Sequence, residues 1–241
     1  MRKLADSKLA DGKFAHSEQQ IATMFDNIAP RYDLLNRLLS LRQDIRWRKC
    51  LVQHVPLHAR LLDVATGTGD VISACYRHRR QVAHCVGIDI SNAMLNLARG
   101  KLPATTVLQH MSATNLRFPD ASFNAITIAF GIRNVNDTSK ALAEFQRVLT
   151  ADGRLLILEF FPIVKKGLFT RLFAFYLHKV LPRLASLVSD RSAYSYLPAS
   201  ISEFYHAELL QQKASEHGFE VCKVQKFMAG AVQLLVLQKH A

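Results

Sequence analysis

Two acidic side chains, each closing an apolar run, have the spacing that most clearly indicates chemistry. Asp63 ends the run that begins at Leu61, and a turn containing Gly67 and Gly69 follows it. Asp89 ends the next apolar run. Glycine in such a turn lets the backbone approach a ligand without a Cβ in the way. An acid after the second strand is placed to accept hydrogen bonds from ribose hydroxyls, so the pattern predicts a nucleoside-containing cofactor.

The first turn reads DVATGTG and departs from the GxGxxG pattern of dinucleotide-binding proteins. It has no third glycine to bring a helix onto a pyrophosphate, and Asp70 places a negative charge where that group would sit. An adenosine cofactor without a pyrophosphate fits this turn better. We therefore predict S-adenosylmethionine as the cofactor, held by Gly67, Thr68 and Gly69.

The composition favours one large α/β domain, because the chain has 241 residues and 49% of them are apolar. No uncharged apolar stretch reaches the roughly 18 residues of a membrane-spanning helix. The four cysteines lack CxxC spacing and the ten histidines lack HxH and HExxH pairings, so we expect reduced thiols, a cytoplasmic location and no metal site. The net charge of +12 fits nucleic acid, an anionic membrane surface or a merely solvated surface, and does not decide among them.

Strand and helix patterns alternate through the middle of the chain. Strands are predicted at residues 60–64, 84–88, 106–110, 124–129 and 154–160, and helices at residues 70–78, 91–102 and 136–149. This alternation predicts a mostly parallel sheet with right-handed crossovers and helices on both faces. The late runs 219–224 and 231–237 predict a C-terminal antiparallel hairpin.

The domain organisation that we predict is a flexible lead-in at residues 1–20 followed by one domain at residues 21–241. Residues 21–56 form an N-terminal helical cap, whose first helix is expected to stop before Pro30. Residues 161–200 form a helical insertion over the substrate site.

One stretch within that insertion, residues 161–188, combines aromatic side chains at helical spacing with several lysines and arginines. A basic helix with a wide aromatic face suits a membrane surface or a lipidic substrate. Packing on the sheet or a dimer contact also explains this face and is the more common role of such helices. Peripheral contact with the inner face of the membrane, and an oligomer, therefore both stay open.

Several segments resemble the UbiE/MenG family of S-adenosylmethionine-dependent quinone C-methyltransferases. YDLLNRLLSLRQDIRW at residues 32–47 resembles the first signature of that family, and RVLTADGRLLILEF at residues 147–160 resembles the second. MFDNIAPRYD, TIAFGIRNVND and YSYLPASI also look like family segments. The resemblance runs from about Ile21 to the C-terminus and implies the class I methyltransferase fold, which is Rossmann-like.

Some positions depart from the family pattern. Asp44 stands where the first signature usually has histidine, and Leu35 replaces its methionine. Ser112 stands where the family often has Asp or Asn near the adenine, and Ala129 stands where some members have serine. Asp152 keeps a turn former in the second signature.

The resemblance implies C-methylation of a polyprenyl quinol, and we favour demethylmenaquinol as the substrate. Three alternatives stay open: the methoxy-polyprenyl-benzoquinol of ubiquinone synthesis, a substrate of another class such as RNA, and a non-catalytic module that binds S-adenosylmethionine or NAD. The aromatic residues of the insertion lie among aliphatic ones, which favours a lipid, so no nucleic-acid partner is expected.

The resemblance and the strand ends together assign the candidate site. Arg133 is predicted to stabilise a phenolate-like anion, with Asn134 orienting the ring or a water, although a surface arginine that pairs with Asp137 is the alternative. The catalytic base is left open between Asp26 and Asp33. The predicted cofactor residues are Asp63, Gly67, Thr68, Gly69, Asp89, Ser112, Ala113 and Ala129. The predicted substrate residues are Tyr32, Asp33, Asn36 and Tyr196.

Overall fold

A seven-stranded sheet forms the centre of the computed structural model, which describes residues 17–78, 82–162 and 192–240. The strand order is β3-β2-β1-β4-β5-β7-β6. The strands are β1 (Ala59–Val64), β2 (Val82–Asp89), β3 (Val107–His110), β4 (Phe123–Ala129), β5 (Leu149–Phe160), β6 (Phe219–Phe227) and β7 (Val232–Lys239).

Seven α-helices lie in the described part of the chain. They are α1 (Glu18–Leu39), α2 (Gln43–Val52), α3 (Asp70–Arg77), α4 (Asn92–Lys101), α5 (Thr138–Val148), α6 (Ser192–Glu203) and α7 (Ala207–Glu216). Side chains cap the amino ends of three of them, because Ser17, Ser91 and Asp137 each accept a hydrogen bond from a backbone N–H of the first turn. These caps fix where the helices begin.

The sheet is parallel from β3 to β5 and antiparallel at β7 and β6. This arrangement confirms the predicted fold class, including the C-terminal hairpin. Strand β1 lies between β2 and β4, and the chain leaves it in one direction to build β2 and β3 and in the other to build β4 and β5. Such a reversal of strand order opens a crevice at the carboxyl edge, where α/β proteins bind their ligands.

Two apolar layers hold helices on opposite faces of the sheet. One layer packs α5 and α7 through residues such as Phe145 and Leu210. The other packs α2 and α3 through Trp47, Leu51 and Ile72. Burial of both faces explains why the central strands are near-continuous apolar runs, which is typical of parallel sheets.

Pro30 does not end the first helix, so the prediction of a helix boundary there is wrong. Helix α1 is continuous from Glu18 to Leu39, with Pro30 inside it. A proline in a helix removes one backbone hydrogen bond. The buried face of α1 runs through the proline, since Ile21, Ala29 and Leu35 are all buried, and this packing offsets the lost bond.

The second signature forms a longer strand than predicted. Strand β5 begins at Leu149, and a register irregularity near Phe123 accommodates Asp152 with a φ of 58°. Asp152 therefore bends the chain within β5, where the sequence suggested a turn before the strand.

Parts of the predicted lead-in and insertion lie outside the described residues. The described chain begins with Ser17, which caps α1, so residues 18–20 belong to this helix and not to a lead-in. Of the insertion, the structure describes residues 161–162 and 192–200, so the predicted basic helix at residues 161–188 falls almost wholly outside. Within the described ranges, no helix has the length and apolar character needed to cross a membrane.

Candidate active site

The turn after β1 brings backbone into close contact with the neighbouring elements. Gly69 has a φ of 80° and begins α3, and a Cβ on it would lie 2.6 Å from the Leu102 side chain. Gly131, after β4, approaches the same turn so closely that a Cβ there would lie 2.6 Å from Cβ of Ala65. Only glycine satisfies both positions, which explains the glycine of each motif.

Asp63 lies near the end of β1, just before this turn. Its two carboxylate oxygens accept hydrogen bonds from the hydroxyls of Thr66 and Thr127, each at 2.6 Å. Burial raises the pKa of Asp63 to about 6, and the two threonines oppose the rise. The carboxylate thus joins the β1 turn to β4.

Asp89 presents its carboxylate at the edge of the cavity. Its oxygens accept hydrogen bonds from the backbone N–H groups of Gly67 at 2.8 Å and Ser91 at 2.9 Å. Burial raises the pKa of Asp89, and these N–H groups oppose the rise. The hydrogen bond from Gly67 joins Asp89, at the end of β2, directly to the glycine turn.

A cavity opens at the carboxyl edge of the sheet. Its lining residues are Glu18, Ile21, Phe25, Tyr32, Val64, Ala65, Gly67, Asp89, Ile90, Met94, Met111, Ser112, Ala113, Thr114, Ala129, Phe130, Gly131, Asn134, Val135 and Asn136. Among these described residues the only charged side chains are two carboxylates, and no lysine or arginine is present. This lining offers no cation to a pyrophosphate and suits a ligand that carries positive charge.

Helix α1 covers the cavity and is tied to its rim. Phe25 and Tyr32 line the cavity and contact each other edge to face, with ring centroids 6.1 Å apart. Asp26 accepts hydrogen bonds from the Ser91 hydroxyl at 2.6 Å and from Ala93 N–H at 3.1 Å. The carboxylate of α1 therefore binds the amino end of α4, beside Asp89.

A cluster of charges on the far side of the glycine turn joins the helical cap to α3 and α4. Asp70 accepts hydrogen bonds from Arg37 and Lys101, and Arg48 Nη1 lies 3.5 Å from Asp70 Oδ2. Burial alone would raise the pKa of Asp70, but the three cations hold it well below its ordinary value. The carboxylate at the start of α3 is thus neutralised by its neighbours.

Asp33 and Asp44 complete this cluster. Asp33 accepts a hydrogen bond from the Thr68 hydroxyl at 2.6 Å and pairs with Lys101 at 2.9 Å. Asp44, at the position where the family usually has histidine, is buried and accepts a hydrogen bond from Arg48 at 2.6 Å. The departure from the signature therefore supplies an acceptor for a buried arginine.

The other end of the cavity is lined by the Asn134 amide, which a phenol outside the lining holds in place. The Tyr196 hydroxyl donates to Asn134 Oδ1 at 2.8 Å, and Asn134 lines the cavity. Burial raises the pKa of Tyr196, with Arg133 opposing the rise and Glu159 and Glu203 adding to it.

Arg133 is buried behind Asn134. It pairs with Glu159 at 2.6 Å, donates to the Phe130 carbonyl at 2.8 Å and contacts the Ser200 hydroxyl at 3.3 Å. The alternative of a surface arginine that pairs with Asp137 is wrong, since Asp137 instead caps α5 by accepting from Lys140 N–H at 2.8 Å.

Comparison with known proteins places this arrangement in a family. Residues 13–239 match the family described as the ubiE/COQ5 methyltransferase family. The chain belongs to the ubiE/COQ5 methyltransferase family. The resemblance predicted from the motifs is thereby confirmed.

The ubiE/COQ5 relatives carry names that describe quinone methylation. The chain is 46% identical over 207 residues to the demethylmenaquinone methyltransferase of Deinococcus radiodurans, with 83% of this chain and 85% of the relative covered. It is 44% identical over 209 residues to the ubiquinone/menaquinone biosynthesis C-methyltransferase UbiE of Citrifermentans bemidjiense, covering 84% and 88%. The fold is similar to that of a putative methyltransferase from Bacillus halodurans, with a TM-score of 0.60 at 18% identity, covering 80% and 99%.

The predicted site residues fall into two groups in this ubiE/COQ5 member. The cavity lining includes Tyr32, Gly67, Asp89, Ser112, Ala113, Ala129 and Asn134. The remaining residues lie behind or beside it: Asp63, Thr68 and Gly69 build the turn, Asp33 holds Thr68, Asn36 contacts Tyr32, Tyr196 holds Asn134, and Arg133 pairs with Glu159.

Sequence reasoning missed the acidic partner of Arg133. Glu159 closes the apolar run of β5, as Asp63 and Asp89 close theirs, and this signal would have marked it for the same edge. It also missed apolar residues of the lining, such as Met94 and Met111, which have no pattern that separates them from ordinary core residues.

Proposed function

We propose that this chain transfers a methyl group from S-adenosylmethionine to a ring carbon of a polyprenyl quinol, with demethylmenaquinol as the substrate. The observation that carries the proposal is a single cavity that joins Asp89 and the glycine turn at one end to Asn134 at the other. The cavity gives a cofactor and an acceptor adjoining places under one helical cap, which is what an in-line transfer needs.

The described residues fit S-adenosylmethionine on two counts. Asp89 offers a carboxylate to the ribose hydroxyls, and Ser112 and Ala113 offer backbone and a hydroxyl near the adenine. The lining carries carboxylates and no lysine or arginine among the described residues, which suits a sulfonium and an amino group better than a pyrophosphate. When bound, this cofactor supplies a methyl group whose leaving group departs uncharged.

The chain must then make the ring carbon nucleophilic, and a deprotonated quinol hydroxyl does this. We propose that the positive charge of Arg133 stabilises the resulting phenolate-like anion, directly or through water. The same charge opposes the rise in pKa that burial causes at Tyr32, a phenol that lines the cavity, and at Tyr196, the phenol that holds Asn134. We propose that it acts in the same sense on a quinol hydroxyl in that cavity.

Asn134 has a positioning role in this proposal. Its amide oxygen accepts a hydrogen bond from the Tyr196 hydroxyl. We propose that its amide nitrogen donates a hydrogen bond to a substrate oxygen in the cavity. Asp26 and Asp33 are both engaged in hydrogen bonds outside the cavity, and we assign neither as the base.

The names of the relatives favour the menaquinone substrate. The Deinococcus radiodurans relative is named for demethylmenaquinone, whereas the Citrifermentans bemidjiense relative is named for both quinones. A polyprenyl quinol resides in the membrane, so the proposal also requires a cytoplasmic enzyme that reaches the membrane surface.

Methyl transfer is tested with S-adenosylmethionine labelled in its methyl group and with short-chain forms of each reduced quinone. We expect label in demethylmenaquinol at a higher kcat/KM than in the methoxy-benzoquinol. A preference for the benzoquinol would reverse the substrate assignment, and no transfer to either would overturn the proposal.

Calorimetry separates the proposal from its alternatives. We expect binding of S-adenosylmethionine and none of NAD, because the lining lacks a partner for a pyrophosphate among the described residues. Tight RNA binding that weakens steeply with salt would favour the other substrate class.

A further inference from the structure

The corner between α1 and α2 carries an exposed apolar row. Leu34 and Leu38 are 59% and 36% exposed and lie one turn apart on α1, and Leu41, which is 71% exposed, lies in the turn that follows this helix. Scattered exposed leucines are ordinary, but three so close together in the chain form an apolar row at the corner. Leu34 and Leu38 lie on the outside of the helix whose inner side, through Tyr32, lines the cavity.

A basic row begins where the apolar row ends. Arg42, Arg46 and Lys49 are exposed and recur at helical spacing along the outside of α2, and Arg31 is exposed one turn before Leu34. None of these four cations forms an ion pair with any residue that the structure describes. The acids of this region are used elsewhere, since Asp44 pairs with Arg37 and Arg48 and Asp33 pairs with Lys101.

The corner has a backbone conformation that its side chains do not favour. Leu41 has a φ of 50° and Arg42 a φ of 62°, in the left-handed region that glycine and asparagine adopt most easily. Hydrogen bonds from Leu41 N–H to the Leu38 carbonyl at 3.2 Å and from Arg42 N–H to the Arg37 carbonyl at 2.8 Å hold the turn. Both side chains are exposed at this turn.

The corner lies at the edge of the sheet where the cavity opens. Asp44 of α2 pairs with Arg37, which also pairs with Asp70 after the carboxyl end of β1, so the first half of α2 lies at that edge. The end of α2 lies at the opposite edge, because the His54 carbonyl accepts a hydrogen bond from Arg154 Nη1 at 3.3 Å, near the amino ends of the strands. The exposed corner is thus on the cavity side of the molecule.

We propose that this corner, formed by Arg31, Leu34, Leu38, Leu41, Arg42, Arg46 and Lys49, docks the enzyme on an anionic lipid bilayer. The leucines match the acyl chains of such a surface, and the flanking cations, which have no acidic partner among the described residues, match its anionic headgroups. The inference rests on the proposed function, because it places the covering helix of the cavity on the membrane that holds a polyprenyl quinol.

The test measures binding of the full chain to vesicles of phosphatidylcholine alone and of phosphatidylcholine with phosphatidylglycerol. We expect binding to the anionic vesicles that weakens as salt is raised. Arg42→Gly relaxes the backbone and removes a charge, so it should keep the fold and lose about fivefold in affinity. Arg46→Gln should lose a similar factor, and Leu41→Asn, which suits the same φ, should lose about fivefold or more.

Matched controls lie at the opposite edge of the sheet. Leu57 is 60% exposed and Arg60 is exposed, both near the start of β1, so Leu57→Gln and Arg60→Gln should bind vesicles as the wild type does. Equal losses in the control and corner variants would overturn the assignment of the surface. The proposal would be overturned if the wild-type protein did not bind anionic vesicles. It would also be overturned if the corner variants altered only dimerisation or RNA binding.

Turnover of a short-chain quinol in solution separates this inference from the proposed function. The corner variants should keep that turnover, since none of the altered residues lines the cavity. Their turnover of a long-chain quinol in anionic vesicles should fall in step with their vesicle binding. Unchanged turnover in vesicles would count against docking even where methyl transfer is intact.

Discussion

The Nη1 atom of Arg133 lies 2.6 Å from Oε1 of Glu159, and both side chains are buried directly behind the cavity. Burial raises the pKa of Glu159, and Arg133 is the first of the neighbours that oppose the rise. The guanidinium also holds the Phe130 carbonyl and the Ser200 hydroxyl. One residue therefore joins the ends of β4 and β5 to α6.

Removing Arg133 alone mixes two effects, and the structure predicts both. Arg133→Ala should keep S-adenosylmethionine binding and lose turnover, but it also leaves the Glu159 carboxylate buried and unpaired. Breaking a buried pair costs about 3–5 kcal/mol of unfolding free energy. Urea unfolding and single-turnover methyl transfer measure the two effects separately.

The double variant Arg133→Met with Glu159→Gln is the control for that experiment. Removal of both charges should recover much of the stability, because no buried ion remains unpaired. Turnover should stay low if the positive charge stabilises the phenolate. A stable double variant with wild-type turnover would remove Arg133 from the chemistry.

Asp70→Asn should destabilise the helical cap. The substitution leaves Arg37, Arg48 and Lys101 without the carboxylate that they share, and we expect a loss of about 3 kcal/mol in urea unfolding. Because the pKa of Asp70 is lowered on folding, its contribution is full above about pH 5 and is lost as the pH falls below about 4. The difference between variant and wild type should therefore shrink in acid, and a constant difference would contradict the assignment.

Asp63→Asn should change the pH dependence of stability in the opposite sense. Burial raises the pKa of Asp63 to about 6, so the folded state binds its proton more tightly than the unfolded state. Its contribution to stability is present below about pH 4 and is lost as the pH rises through about 6. Between those limits the stability difference should move in favour of the variant by roughly 2–3 kcal/mol. Thermal unfolding across the pH range measures it, and no movement would place the pKa near its ordinary value.

The sheet and the cofactor half of the cavity could be predicted because local patterns determine them. A few adjacent residues are enough to indicate each part: an apolar run that ends at Asp89 marks a strand and its carboxyl end, and the turn with Gly67 marks the place where a ligand approaches the backbone. Pro30 misled the prediction because burial on both sides of it, a tertiary effect, keeps α1 continuous. The ion pairs of Asp70 could not be predicted from the sequence for the same reason, because only the packing of separate helices brings Arg37 and Lys101 close to Asp70.

Asp26→Asn should weaken cofactor binding although Asp26 does not line the cavity. Its carboxylate accepts hydrogen bonds from the Ser91 hydroxyl and from Ala93 N–H. These bonds hold α1 against the end of the cavity that carries Asp89. A neutral amide accepts less strongly, and we expect affinity for S-adenosylmethionine to fall about three- to tenfold. Asp120→Asn, at an exposed ion pair, is the control. Calorimetric titration of both variants with S-adenosylmethionine measures the effect. Equal affinities in Asp26→Asn and Asp120→Asn would show that the Asp26 contact does not contribute to cofactor binding.

Tyr196→Phe should lower turnover without changing cofactor affinity. The Tyr196 hydroxyl holds the Asn134 amide at 2.8 Å, and its loss lets that amide rotate away from the acceptor end of the cavity. Misplacement of a positioning group typically costs about 10- to 100-fold in rate, and here the loss should appear in kcat. Tyr76→Phe is the matched control, because its hydroxyl faces Thr106 on the surface and should leave turnover unchanged. Wild-type kcat in Tyr196→Phe would mean that Asn134 is held by other contacts, whereas an equal loss in Tyr76→Phe would trace the effect to stability and not to the site.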